Sequence, residues 1–532
     1  MTNVFLNHSQ NNISKFKKYY ILFIFICGSV QLILSENFTD LTVLFYVILI
    51  NILILFYCFQ SNKFKLFPIS YLIIFFSFFF NAASALFLKT LELNKVSSNL
   101  YLPKDIYFFL LISTILIIAT HMIYVKNYTK NKKSFTFNLI QKFGLYNIDL
   151  NLLFYLGVFS LIMQVLYTFD LMGIGYNNTN ILGGYGVLTD FMLGYNPFYI
   201  LIFQLILSKH LFNKNYSINK IVYFLFFLIV IYISIATNRR DILFFGILNL
   251  LMILVTIFLL GKIQIDKKQF LKYFSIFIIL LLSSGTILKL NYAYLIERNN
   301  VSRATFTNLT SFLSTFSKIN NNKNFYKNFK SNMQFTVSSK INIQNYYDSL
   351  IFERLNPIKY ADNILFFSKR LDKNTLNEIK SHSFNRMLSI IPQPFINIVN
   401  KNFNKSDYIY LTVATKIITN TRQNRSASND VGSFLIELKI FFGLLFFLPM
   451  VIIAYLIFIL FDSFYDKKKE IFSPIMLIFL FYGSNTVYGF FSSTSFDAIV
   501  AFIIRGIPQS ILLYLIFKIL FKFFFKTKSN FS

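Results

Sequence analysis

Apolar residues in this chain come in blocks of 15 to 25, and a block of that size is about what an α-helix needs to cross the hydrocarbon core of a bilayer. No other feature restricts the possible folds so strongly. Of the 532 residues, 55% are hydrophobic and only 14% charged, where an ordinary soluble domain carries about 25% charged residues. A soluble multi-domain enzyme, a disordered chain and a secreted disulfide scaffold are excluded. The chain reads as an all-α polytopic membrane protein.

About 12 candidate spans are expected: Tyr19–Leu34, Leu41–Gln60, Leu66–Leu88, Ile106–Val125, Leu150–Leu171, Phe191–Leu207, Ile221–Ala236, Ile242–Leu260, Tyr273–Leu290, Phe434–Phe461, Ile471–Phe490 and Ala498–Phe521. Lys15, Lys17 and Lys18 ahead of the first block resemble a signal peptide. No small-residue cleavage site follows, so the block reads as a retained helix. Charge tests the count independently, because short cytoplasmic connections carry excess Lys and Arg. Taken alternately from the N-terminus, one set of connections holds 24 basic residues, running from Lys15 through Lys63, Lys126, Lys214, Lys262 and Lys467 to the Lys518–Lys528 tail. The other set, its one long loop aside, holds only five: Lys89, Lys95, Lys104, Arg239 and Arg240. Both termini are therefore expected in the cytoplasm.

This divides the chain into residues 1–290 with nine spans, a long outward-facing loop over 291–432, and residues 433–532 with three spans and a basic tail. The loop holds 19 Lys/Arg against eight Asp/Glu, but long loops do not obey the charge rule. Around Asn320–Lys330 it reads as polar and mobile. Apolar stretches at helical spacing, at Tyr346–Phe352, Met387–Ile391 and Tyr408–Ile418, predict short amphipathic helices over the outer membrane face. A separate globular domain is not expected. No internal repeat is visible, against transporters built from two similar halves.

A net charge of +29 does not make this a nucleic-acid binder, because the basic residues sit between apolar blocks instead of forming one exposed patch. Cys27 and Cys58 fall inside apolar blocks with no metal-spaced partner. No two of His8, His121, His210 and His382 are close enough in sequence to suggest a His-based metal site.

Ionisable groups inside or beside a span are costly and mark functional candidates. Arg239 and Arg240, in ATNRRDIL, occupy a tight outward turn against the orientation signal. A guanidinium binds phosphate oxygens bidentately, so the pair suits a lipid phosphate or pyrophosphate, or else an anchor through Asp241 or lipid headgroups. Arg505 lies about 12 Å along the last span from Asp497 at 1.5 Å rise per residue. Gly506 and Pro508 beside it suggest a kink at a cavity, and an ion pair with Glu437 is the alternative. Glu437 could orient a sugar hydroxyl, act as a general base or hold an arginine. The loop adds Arg298, Arg303, Arg386, Arg422 and Arg425. His382 is either a base poised near neutral pH or an exposed loop histidine in a Ser-rich stretch.

These residues resemble a family. The ATNRRDIL turn is similar to the arginine-bearing turn of the Wzy-type oligosaccharide repeat-unit polymerases of bacterial O-antigen and capsule synthesis. Ser389-Ile390-Ile391-Pro392-Gln393-Pro394-Phe395 resembles their loop motif of an isoleucine-proline step followed by an aromatic. Asn429-Asp430-Val431-Gly432-Ser433 with Glu437, Phe442 and Gly443 resembles their Gly-Ser, Glu, Phe-Gly pattern leading into a helix. The family often has a basic residue where this chain has Gln393, and the Trp-Pro-Lys-Pro ending of that motif is absent.

The resemblance implies a location in the bacterial cytoplasmic membrane and a substrate of glycans on polyprenyl pyrophosphate in the outer leaflet. It also implies transfer of a growing chain onto a new lipid-linked unit. Arg239, Arg240 and Arg505 would bind pyrophosphate, the loop arginines the glycan or a second pyrophosphate, and Glu437 or His382 would serve as base. No cofactor is expected. The absence of a metal-type carboxylate cluster on the outer face in the sequence predicts a metal-independent glycosyltransferase. Membrane lipids are partners, nucleic acid is not, and a chain-length regulator protein is a partner the resemblance leaves open. An O-antigen ligase, a lipid-linked oligosaccharide flippase and a metal-dependent polytopic glycosyltransferase are the rival activities, and a structural or sensing membrane protein is the non-enzyme reading. The metal-dependent class would carry acidic residues in its first outer loop, which here is the short SENFTD with Glu36 and Asp40.

Overall fold

The structure is a computed structural model. It describes residues 2–130, 135–168, 195–216, 219–236, 240–263, 289, 293, 296, 309–321, 356–391, 396–398, 400, 403–409, 411–421, 432–479, 491 and 494–526. The described residues are helical apart from turns and one hairpin of two-residue strands, Tyr465–Asp466 and Ile471–Phe472. Six helices among them are long and apolar enough to cross a membrane: His8–Leu34, Phe38–Cys58, Pro68–Leu91, Pro103–Tyr128, Phe434–Asp462 and Phe496–Phe523. Shorter apolar helices occupy Leu150–Leu166, Lys220–Ser234 and Leu250–Leu259. The ninth expected span, Tyr273–Leu290, lies almost entirely outside the described residues, as does the eleventh beyond Phe479.

The chain forms two compact units, one of residues 1–142, 344–468 and 484–508, the other of 143–343, 469–483 and 509–532. The long loop is thus divided between them at Ile343/Gln344, where the sequence suggested a single segment.

In the first unit the Pro103–Lys130 helix packs between Phe38–Cys58 and Phe447–Asp462. One end of the unit gathers connections from the Lys-rich set. Asp462 accepts the Ser70 N–H at 3.1 Å and the Tyr124 hydroxyl at 3.0 Å. His121 bridges the Ser70 hydroxyl and the Tyr57 hydroxyl, each at 2.7 Å. Lys467 lies over the rings of Phe67 and Tyr128 at 3.7 and 3.9 Å. The opposite set meets elsewhere in the unit: Gln31 holds Asn94 and Val96 through backbone bonds of 2.8 and 3.0 Å, and Lys95 pairs with Glu36 and Asp40 at 2.7 and 3.3 Å.

The tenth expected span is long because it is broken. Gly443 adopts φ +58° and ψ −126°, a conformation that only glycine takes without strain. The chain therefore runs as Phe434–Phe442, a 3-10 turn over Gly443–Phe446, and Phe447–Asp462. In the last span, Pro508 lacks the N–H that would continue the ladder. The preceding turn, Phe502–Gly506, widens to a π-helix closed by the Ile507 N–H on Phe502 O, so the expected kink takes the form of a π-bulge.

In the second unit the Leu150–Thr168 helix packs on a segment expected as the continuous span Phe191–Leu207. Its described part is instead a 3-10 turn, Asn196–Tyr199, with two short helices, Ile200–Leu205 and Ser208–Phe212. Pro197 starts the first turn, and Ile200–Leu205 is buried on every side. It is a core helix, packed with Leu161, Phe226, Val230 and Ile233.

Candidate functional site

Residues 291–432 supply five described helices, Leu309–Asn321, Ile358–Ser368, Lys373–Leu388, Ser406–Ile409 and Val413–Thr421. The first includes Asn320 and Asn321, so the stretch read as polar and mobile begins inside a helix. Tyr346–Phe352 lies outside the described residues.

Two polar clamps join two of these helices, Ile358–Ser368 and Lys373–Leu388, to the spans. Asp362, fully buried, accepts the N–H groups of Tyr101 and Leu102 at 2.7 and 2.9 Å, at the start of the Pro103–Lys130 helix. Its partner Lys359 lies 3.4 Å away and 4.1 Å over the Tyr101 ring. Burial pushes the Asp362 carboxyl above the usual carboxylate range, against the pull of Lys359 and the two N–H groups.

The second clamp carries the candidate site. Asp372 caps the Lys373–Leu388 helix by accepting the Asn374 and Thr375 N–H groups. His382 and Arg386 are four residues apart and therefore share a helix face, and both donate to the Leu411 carbonyl, His382 Nε2 at 2.9 Å. Arg386 Nε also donates to Asp497 Oδ2 at 2.7 Å, in the first turn of the last span. Beside this pair Glu437 is fully buried, its Oε2 accepting the Phe496 N–H at 2.8 Å. Phe496 begins the last span, so Glu437 caps that span while sitting one turn into the Phe434–Phe442 helix. Ser433 and Gly432 complete the wall, and a Cβ on Gly432 would lie 2.5 Å from Glu437 Oε1 and 2.6 Å from Ser495 Cβ.

Two acceptor atoms are left over. Glu437 Oε1 and Asp497 Oδ1 are buried and have no hydrogen-bond partner among the described residues. Two carboxylates facing one guanidinium leave one negative charge uncompensated if both are ionised. Neither free oxygen is satisfied as buried polar atoms normally are.

His382 is 3% exposed, which corrects the reading of an exposed loop histidine. Because a carbonyl only accepts, Nε2 carries the proton, and any base chemistry would run through Nδ1. Burial, with Lys416 and Arg386 nearby, holds His382 below its ordinary value and neutral at pH 7. Arg505 is exposed on the π-helical turn, and the groups facing Glu437 are Phe496, Asp497 and Arg386. Arg240 is the first residue of the Arg240–Leu259 helix. Arg239, Arg298, Arg303, Arg422 and Arg425 lie outside the described residues, as do Pro392–Phe395 of the isoleucine-proline motif.

The sequence reading used Asp497 only to mark a membrane boundary and passed over Asp362. The signal for Asp497 was present, an acidic residue in the first turn of an apolar span. Asp362 carried none, since a carboxylate inside an ordinary loop helix reads as solvated. Among the described residues no group of three or more His, Cys, Asp or Glu gathers as metal ligands would. Compared with known protein families, curated proteins and solved structures, the chain finds no match.

Proposed function

We propose that this membrane protein is a polymerase of lipid-linked oligosaccharide repeat units. The observation carrying the reading is the convergence of Glu437, Gly432 and Ser433, the positions of the Gly-Ser and Glu motif, on Arg386 of the long loop and Asp497 of the last span. This convergence leaves two buried carboxylate oxygens open as acceptors for sugar hydroxyl donors.

In the reaction, an acceptor hydroxyl of a new lipid-linked unit attacks the anomeric carbon of the growing chain. The bond from that carbon to the pyrophosphate oxygen breaks, and its electron pair leaves with polyprenyl pyrophosphate. The hydroxyl proton passes to a carboxylate of the site, Glu437 being the one the motif marks. Charge building on the leaving pyrophosphate is stabilised more in the transition state than in the ground state by fixed guanidinium groups. Arg239, Arg240 and Arg505 are assigned to this role, and Arg298, Arg303, Arg386, Arg422 and Arg425 to the glycan or the second pyrophosphate.

The test is the surface-glycan length profile of the native host with the gene deleted. It is then complemented by wild type, Glu437→Gln, Arg239→Ala, Arg240→Ala or Arg505→Ala, with membrane levels checked. Glycans stopping at one repeat unit after deletion, with no ladder restored by the variants, support the reading. Polymer made but absent from the surface indicates a ligase, units trapped in the inner leaflet a flippase, and an unchanged ladder refutes the assignment.

A further inference from the structure

A second polar site lies in the second unit, and none of the residues lining it is assigned a role above. The turn at Gly144–Asp149, the turn at Phe212–Lys214, the segment Lys469–Ile471 and one face of the Ile507–Lys526 helix enclose a cleft of about 810 Å³. Four lysines line it, Lys214, Lys469, Lys518 and Lys522, against one carboxylate, Asp149. That carboxylate is committed to the N-terminus of the Leu150–Thr168 helix, accepting the Asn151 and Leu152 N–H groups at 3.0 and 3.3 Å.

Two of the lysines are built in. Lys518 Nζ donates to Gly144 O at 2.9 Å, and Lys214 Nζ donates to Ile148 O. Asn213, at φ 55°, donates to Lys469 O at 3.1 Å and ties the Phe212–Lys214 turn to the Lys469–Ile471 segment. Bonds to carbonyls fix the ammonium groups without neutralising their charge. Lys518 and Lys522 are also one helical turn apart, where like charges repel. Lysines gathered on one concave surface, four against one carboxylate, favour an anion among them.

We propose that this cleft binds a phosphate-bearing anion, its phosphate seated among Lys214, Lys469, Lys518 and Lys522. A flexible ammonium binds phosphate as a point charge, and a cleft of this volume accommodates a headgroup. All four lysines belong to the connections that the charge alternation assigns to the cytoplasmic side. Two sources share the chemistry, the headgroup of an anionic phospholipid and a soluble polyphosphate.

Native mass spectrometry of the full chain in neutral detergent separates these sources, with phosphatidylglycerol and inorganic pyrophosphate as probes. A surface lysine contributes about fivefold to anionic-headgroup affinity, so Lys214→Gln with Lys522→Gln weakens binding about 30-fold. Lys209→Gln with Lys220→Gln, an equal charge change outside the cleft, leaves it unchanged. If the double variant fails to fold, the exposed Lys522→Gln alone weakens it about fivefold. Cleft-dependent binding of phosphatidylglycerol identifies a lipid headgroup, and cleft-dependent binding of pyrophosphate a soluble ligand. Binding of neither probe, or equal binding by all variants, overturns the proposal.

Discussion

Removing Arg386 tests the geometry of the candidate site most directly. The guanidinium is 17% exposed and its partner Asp497 is 4% exposed, with Nε and Oδ2 at 2.7 Å. A hydrogen bond to a charged group contributes about 1.5–3 kcal/mol. Arg386→Met also strands Asp497 beside Glu437 with no cation between them. Deleting one partner of a buried pair costs about 3–5 kcal/mol in total, and that is the expected loss. Asp497→Asn keeps the shape and an acceptor, removes the repulsion on Glu437, and leaves Arg386 bonded to Leu411, so its cost is about 1–3 kcal/mol. With both changes the Arg386–Asp497 pair is removed as a whole and neither partner is left stranded by the other, so the loss falls short of the sum by about 2 kcal/mol, within the range for contacting residues. Equilibrium unfolding in mixed micelles, followed by helical circular dichroism, measures all four corners of this cycle. A coupling below about 0.5 kcal/mol, the limit of additivity for independent sites, would refute the claim that the pair docks the loop onto the last span.

Three further outcomes follow from the same contacts. His382 has a lowered folded-state value, so the unfolded chain binds more protons below its ordinary pKa of about 6.5. Stability is full above that pH and declines as pH falls toward the folded value; His382→Gln, whose amide N–H can still reach Leu411 O, should flatten that step in unfolding measured from pH 7.5 to 5. Gly432→Ala forces a Cβ against Glu437 Oε1 and Ser495 Cβ. An overpacking cost of about 1–3 kcal/mol and loss of the glycan ladder are expected, and wild-type values for both would show that the contact is not maintained. Asp362→Ala strands Lys359 and two N–H groups at a cost of about 3–5 kcal/mol. Trypsin should then cut at Lys369–Arg370 faster than in wild type, whereas an unchanged rate would mean that Asp362 does not anchor the helix.

Much of the membrane architecture was legible because lipid imposes a coarse rule that hydropathy obeys. Phe38–Cys58, Pro103–Lys130 and Lys220–Ala236 fall within a few residues of their expected spans. Connections grouped by lysine content also meet in space, as when Lys467 covers Phe67 and Tyr128. Hydropathy does not register breaks inside apolar runs. Ile200–Leu205 is as apolar as a span, yet Pro197 and the turn at Ile206–Leu207 confine it to a buried core piece. Gly443 likewise hides a change of direction within continuous leucine and phenylalanine. In the candidate site, Glu437 stood out as an acidic residue in an apolar block. Its partners Asp497 and Arg386 are 60 and 51 positions away in sequence, and no local pattern links residues so far apart.

Placement of the buried charges suggests why the long loop is held so firmly. Between helices in lipid, apolar burial supplies no driving force, and association depends on close packing and on polar contacts. In the first unit those contacts concentrate where spans begin or end: Asp462 with Ser70 and Tyr124, Asp362 with Tyr101 and Leu102, Glu437 with Phe496. Each of these carboxylates accepts a backbone N–H near the start of a helix on another segment, where the helix dipole favours negative charge. Of these three, Asp362 belongs to a loop helix, so Ile358–Ser368 docks by completing a helix start, while Lys373–Leu388 docks through the Arg386–Asp497 pair. Such docking is directional, because an N–H has one bonding direction where an apolar patch has many. A transferase working at a membrane surface has this same requirement, since a misplacement of 1 Å can cost about 100-fold in rate. Arg386 and Glu437 are held by contacts of this directional kind, while Glu437 Oε1 and Asp497 Oδ1 have no donor among the described residues.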